Sequence, residues 1–179
     1  MGMTSDELET LRPSRERALL VVDVQNDFCA GGSMAVKNAD LVIEPLNRTI
    51  DNFLRTNEAV LCSADRHPHV TKHFEKWPIH CVRGTWGAKF HPNLNANYLC
   101  SSIYKGEGTE DDGYSAFEGT YYTPSDSMPL TKLLRDLKIT ELYVGGLATD
   151  YCVKASVLDA LKLAKDPEYP LKKVYLLTD

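Results

Sequence analysis

Cys152 follows Val144-Gly145-Gly146-Leu147-Ala148-Thr149-Asp150-Tyr151 and precedes Val153-Lys154-Ala155-Ser156-Val157. The order is that of a buried strand, a glycine turn and a helix with a cysteine in its first turn. Asp150 has a short acceptor side chain just before a helix-competent run, so it reads as the N-cap. Cys152 then lies at the positive end of the helix. That field favours thiolate and lowers the cysteine pKa. A thiolate attacks carbonyl carbon. Taken alone, the same residue serves equally well as a small core filler.

Two residue types elsewhere can complete such a reaction. Asp23 and Lys105 each end an apolar run. A carboxylate can take the thiol proton and hand it to a leaving amine, and a nearby lysine favours the charged forms of both partners. A second group is Asp65-Arg66-His67 with His80 beyond it. A carboxylate and an imidazole two positions apart face the same way on an extended segment. With His80 they offer mixed nitrogen and oxygen ligation suited to zinc, manganese or iron. His73 or Glu75 could add a fourth ligand, and the spacing does not choose between them. Phe28 and Trp77 sit in the two loops nearest these groups and could sandwich a flat ring.

The elements that must position these residues alternate. Apolar runs at 17–24, 58–64, 98–104, 141–144 and 171–177 read as strands. Helical periodicity at 40–56 places Leu41, Val42, Leu46, Ile50, Phe53 and Leu54 on one face. A second helix is expected over 125–137, capped by Ser125 or Asp126, with Leu130, Leu133, Leu134 and Leu137 inward. The third, over 149–165, places Val153, Val157, Leu158, Leu161 and Ala164 inward. The segment 66–94 is irregular, and the glycine-rich stretch 107–119 reads as a covering loop. This alternation predicts an α/β fold with three layers, α/β/α, around a central parallel sheet. In such sheets ligands bind at the carboxyl ends of the strands. Asp23, Asp65, Lys105 and Cys152 all fall there, so the four collect on one rim.

The chain has 179 residues, 43% of them hydrophobic, and a formal net charge of -5. These values suit one globular domain over 17–179, with 1–16 a loose polar lead-in. No basic stripe suits nucleic acid and no apolar run suits a membrane span. Five cysteines, at 29, 62, 81, 100 and 152, share no regular spacing. Reduced thiols in the cytoplasm are expected, with nuclear entry left open. A homo-oligomer is compatible with the composition.

The ordered motifs resemble the isochorismatase-like cysteine hydrolases, and within them the nicotinamidase/pyrazinamidase group. They are Val22-Asp23-Val24-Gln25-Asn26-Asp27-Phe28-Cys29 with Gly31-Gly32-Ser33, Asp65-x-His67, Trp77-Pro78-x-His80-Cys81-Val82, Lys105-Gly106, Tyr114-Ser115-x-Phe117-Glu118-Gly119 and Gly146-x-Ala148-Thr149-Asp150-x-Cys152-Val153. The resemblance implies hydrolysis of nicotinamide to nicotinate and ammonia in NAD salvage, with pyrazinamide also deamidated. It implies a triad of Asp23, Lys105 and Cys152. It implies a divalent metal on Asp65, His67 and His80, zinc before manganese or iron, holding the pyridine nitrogen. Phe28, Trp77 and Tyr114 would contact the ring. A cis peptide at Leu147–Ala148 would direct the N–H groups of Ala148 and Cys152 at the carbonyl oxygen, an oxyanion hole. The chain stops at Leu176-Leu177-Thr178-Asp179, where members of this group continue, so a truncated C-terminal part is expected. The alternatives are another small-amide or carbamoyl hydrolase of the same superfamily, or a catalytically silent truncated form.

Overall fold

The computed structural model describes residues 16–95 and 101–178. The strands are β1 (Arg17–Val22), β2 (Ala59–Asp65), β3 (Ser101–Lys105), β4 (Thr120–Tyr122), β5 (Ser127–Pro129), β6 (Glu141–Gly146) and β7 (Lys173–Leu176). The helices are α1 (Ile43–Arg55), α2 (Leu130–Asp136) and α3 (Lys154–Ala164). One sheet runs in the order β5-β4-β3-β2-β1-β6-β7. Its five longer strands pair in parallel, and β4 and β5 add antiparallel at the β3 edge.

β1 lies at the centre because it can be buried on both faces. Alternation along the strand sends Ala18, Leu20 and Val22 one way and Leu19 and Val21 the other. The first set packs with Leu130, Leu133 and Leu134 of α2 and with Ala160 of α3. The second packs with Ile43, Leu46, Ile50 and Phe53 of α1. The molecule therefore has the expected three layers, at about 1.5–3 kcal/mol for each large apolar side chain withdrawn from water. No helix among the described residues is long and apolar enough to cross a membrane.

Several boundaries differ from the pattern expected. The strands β4 and β5 are additional, three residues each, joined where Thr123 N–H donates to the Asp126 carbonyl at 2.8 Å. The helix expected from Ser125 begins instead at Leu130, and Pro129 holds its N-cap position. Ser125 and Asp126 do not cap it, because the residue before a proline is driven out of helical geometry. Leu41 lies exposed in a short 3₁₀ turn before α1. On α3, Leu158 and Leu161 are 49% and 42% exposed, whereas Ser156 and Ala160 are buried. The inward stripe runs through Val153, Ser156, Val157, Ala160 and Ala164 at three- and four-residue steps, and Leu158 and Leu161 lie beside it. The start expected for β3 at Tyr98, Cys100 and the lead-in up to residue 15 lie outside the described residues.

Gly146 closes β6 with φ at 134°, and a Cβ there would stand 2.1 Å from the Val22 carbonyl oxygen. Neither the angle nor the space suits an L side chain. Gly146→Ala is expected to cost about 1–3 kcal/mol or more, read as a lower urea midpoint at unchanged slope.

Candidate active site

The rim of the sheet carries the reactive groups because four adjacent parallel strands end there. Asp23 follows β1 directly. Its φ of 49° is left-handed, a conformation that aspartate tolerates better than most residues, and it turns the chain at the strand end. Asp65 and Lys105 are the last residues of β2 and β3 and are register partners. Cys152 lies in the π-type turn after β6.

Lys105 is the hub. It is 1% exposed, a state that a lysine reaches only with partners. Its Nζ lies 2.7 Å from Asp23 Oδ2 and 2.5 Å from Asp65 Oδ1, donates to the Gly113 carbonyl at 2.7 Å, and lies 3.6 Å from Cys152 Sγ. Burial alone would lower its pKa, but Asp23 and Asp65 hold it well above the usual lysine value. Asp23 is anchored by Ser63 Oγ, which donates to Oδ1 at 2.7 Å. Its Oδ2 faces the ammonium, and one carboxylate oxygen lies within 4.8 Å of Cys152 Sγ. Burial raises the Asp23 pKa, against the pull of Lys105.

The cysteine does not behave as its helix position alone suggests. Burial raises the Cys152 pKa, with Lys105 acting the other way and the two aspartates adding to the rise. Asp150 is not the cap. Ala148 holds that position, no side chain caps the turn, and Asp150 is exposed. Desolvation in the low-dielectric rim is the largest influence on this group and favours the neutral thiol.

Beside this cluster, His67, His73 and His80 are all buried, with ligand atoms within 4.8 Å of one another. Each ring has its Nδ1 occupied. Gly106 O lies 2.9 Å from that of His67, Pro78 O 2.7 Å from that of His80, and Asp112 Oδ1 3.1 Å from that of His73. The Nε2 atoms of His67 and His80 stand 3.7 and 3.8 Å from Asp65 Oδ2. His67 Nε2 has no hydrogen-bond partner among the described residues although it is buried. Burial lowers the His73 and His80 pKa values, which favours their neutral forms. Neutral imidazoles with occupied Nδ1 atoms, converging with a carboxylate, fit a divalent metal. Asp65 is held ionised, with a pKa of about 2: burial pushes it up, but Lys105 and His67 together outweigh this. Of the two candidates for a fourth position, His73 is buried beside the other rings and Glu75 is exposed. A second trio, Cys29, Asp40 and His91, is equally close. There His91 Nδ1 accepts from Asn93 N–H at 3.2 Å, which leaves the ring proton on Nε2 and suits a hydrogen bond rather than a metal.

Both clusters open into one cavity of about 310 Å³, lined by Phe28, Trp77, Tyr114, His73, His80, Ala148 and Cys152 among others. Trp77 Nε1 donates to Tyr114 OH at 2.8 Å, fixing two of its walls. Phe28 lies 5.4 Å, centre to centre, from His80. The Leu147–Ala148 peptide is cis. Met34, Val36, Asp112 and Tyr151 also line the cavity and escaped the sequence reading. Met34 and Val36 follow the Gly31-Gly32 turn with no periodic pattern. Tyr151 was a detectable neighbour of Cys152, since adjacent residues of a turn border the same opening.

An α/β sheet with a cysteine, a lysine and an aspartate at its carboxyl rim defines a hydrolase site, and the chain belongs to the isochorismatase family, whose Isochorismatase domain matches residues 17–167. Its relatives point to one branch. The chain is 41% identical to the nicotinamidase of Escherichia coli (strain K12), over 91% of this chain and 81% of that one. The crystal structure of pyrazinamidase of Pyrococcus horikoshii in complex with zinc superposes with a TM-score of 0.76 at 34% identity, covering 90% of this chain and 83% of that chain. PnC1 from L. infantum in complex with nicotinate matches with a TM-score of 0.72 at 30% identity, over 84% and 76%.

Proposed function

We propose that the chain hydrolyses nicotinamide to nicotinate and ammonia, as a step of NAD salvage. The observation that carries this reading is one aromatic cavity bordered at once by the Cys152 thiol and by the histidine cluster. A flat ring with a nitrogen at one end and an amide at the other matches that spacing of functions. Zinc, held by Asp65, His67, His73 and His80, would supply a Lewis-acidic contact for the ring nitrogen.

The chain's own residues account for the chemistry. The Asp23 carboxylate takes the thiol proton as Cys152 Sγ attacks the amide carbon. Lys105 offsets the negative charge of Asp23 and of the forming thiolate. The N–H groups of Ala148 and Cys152 are the donors for the developing oxyanion. Asp23 returns the proton to the leaving nitrogen, and ammonia departs. A water, deprotonated by Asp23, then releases nicotinate from the thioester and restores the thiol. Pyrazinamide presents a similar ring and the same amide, so it falls within the same range.

Ammonia release from nicotinamide by the purified chain tests the reading. Phe28 and Trp77 would hold the ring. Trp77→Ala is therefore expected to raise KM roughly 2- to 13-fold, the equivalent of one lost aromatic contact of about 0.5–1.5 kcal/mol. Steady-state kinetics would show the change in KM more than in kcat, because the ring is bound in ground and transition states alike.

A further inference from the structure

The three clustered histidines are not oriented in the same way. His67 and His80 meet backbone carbonyls, whose positions the chain itself fixes. His73 meets a side chain, the Asp112 carboxylate. That carboxylate also pairs with Lys76 Nζ at 2.8 Å and is about one-third exposed.

Asp112 belongs to the stretch following β3, and this stretch supports the whole site. The Gly106 carbonyl faces His67, and the Thr109 carbonyl accepts from Lys72 N–H at the start of the 3₁₀ turn that carries His73. The Gly113 carbonyl accepts from Lys105, and Tyr114 accepts from Trp77. Asp112 makes the hydrogen bond between this stretch and the His73 ring, and Tyr114 meets the same ring edge-on at 5.9 Å, centre to centre.

We propose that Asp112 is a positioning residue for the metal site, holding His73 in its Nδ1–H form so that Nε2 points into the cluster. The inference rests on the reading of the histidines as metal ligands. A carboxylate acceptor polarises the imidazole more strongly than a carbonyl does, so His73 becomes a better donor to a cation. Losing such a partner weakens metal affinity about 10–100-fold in comparable sites.

The test is the zinc dissociation constant of the full chain, measured by competition with a chromophoric chelator. Asp112→Ala is expected to weaken zinc binding about 10–100-fold. Asp112→Asn keeps an acceptor oxygen but no charge and is expected to fall between it and the original chain. Lys76→Ala is expected to change little, since its exposed ion pair contributes little. The Co²⁺ d–d spectrum reports ligand geometry without turnover and is expected to change in Asp112→Ala but not in Lys76→Ala. Unchanged zinc affinity in Asp112→Ala overturns the inference. So does equal weakening by Lys76→Ala, which assigns the effect to the ion pair instead. Failure of the underlying reading looks different: His73→Ala would then bind zinc as tightly as the original chain.

Discussion

Replacing Cys152 with alanine is expected to lower ammonia release from nicotinamide by roughly 10⁴-fold or more, with the fold intact. In the proposed mechanism the sulfur is the atom that forms the bond to carbon, and no other described cysteine borders the cavity. Cys29, Cys62 and Cys81 are fully buried elsewhere. Alanine removes one sulfur from a site that opens into the cavity, so the void costs little stability. Nicotinate should still bind, because the aromatic walls and the histidine cluster are untouched. Measured together, kcat should collapse while nicotinate affinity stays within about twofold, since those contacts do not involve the sulfur. Substantial turnover in the alanine variant would remove Cys152 from the mechanism. Loss of both turnover and nicotinate binding would indicate a collapsed cavity instead.

The route to the nucleophile differs from the one that helix position suggests. A thiolate preformed by the helix field would need no base. Burial opposes that field here, and the thiol is neutral until a proton leaves it. Asp23 is suited to receive that proton. Its own pKa is raised by burial, and one of its oxygens lies within 4.8 Å of Cys152 Sγ. The same desolvation raises both groups, so the carboxylate gains proton affinity while the thiol holds its proton more tightly.

The parts of this arrangement legible in the sequence are those set by short-range order. Asp23, Asp65 and Lys105 could be placed because each ends an apolar run, and parallel strands deliver their last residues to one rim. Buried β1 was legible for the same reason. The strands β4 and β5 were not, because three residues carry no period. Thr120–Tyr122 and Ser127–Pro129 become strands only through pairing with β3 and with each other. The choice between His73 and Glu75 needed tertiary information too. They stand two apart on one 3₁₀ turn, and only packing against the stretch after β3 shows which points inward. Helical periodicity misplaced Leu158 and Leu161 because the inward stripe is filled by Ser156 and Ala160, small residues that carry little apolar signal, while the two leucines lie beside it.

Replacing Lys105 with methionine should abolish activity and also destabilise the fold by about 3–5 kcal/mol at neutral pH. Methionine keeps the approximate length of the side chain, so the cost is electrostatic. The ammonium is shared by Asp23, Asp65 and the Gly113 carbonyl, and all three lose their cation together. Two carboxylates with oxygens within 4.8 Å of each other would then be buried without a counter-charge. Proton uptake by one of them is the available relief. The pH dependence follows from that. In the original chain the Asp65 pKa is lowered to about 2, so its share of stability is present above the unfolded value near 3.8 and is lost as pH falls through that range. In Lys105→Met, Asp65 joins Asp23 above its unfolded value, and Asp23 loses the pull of the ammonium, so the folded form binds more protons than in the original chain and gains relative to the unfolded one as pH falls. The gap in unfolding free energy between the two proteins should therefore narrow from pH 7 to about pH 5. Urea titrations at both pH values measure it. A gap that stays constant or widens would mean that Lys105 contributes packing rather than charge, and that the rim does not hold two ionised aspartates around one cation.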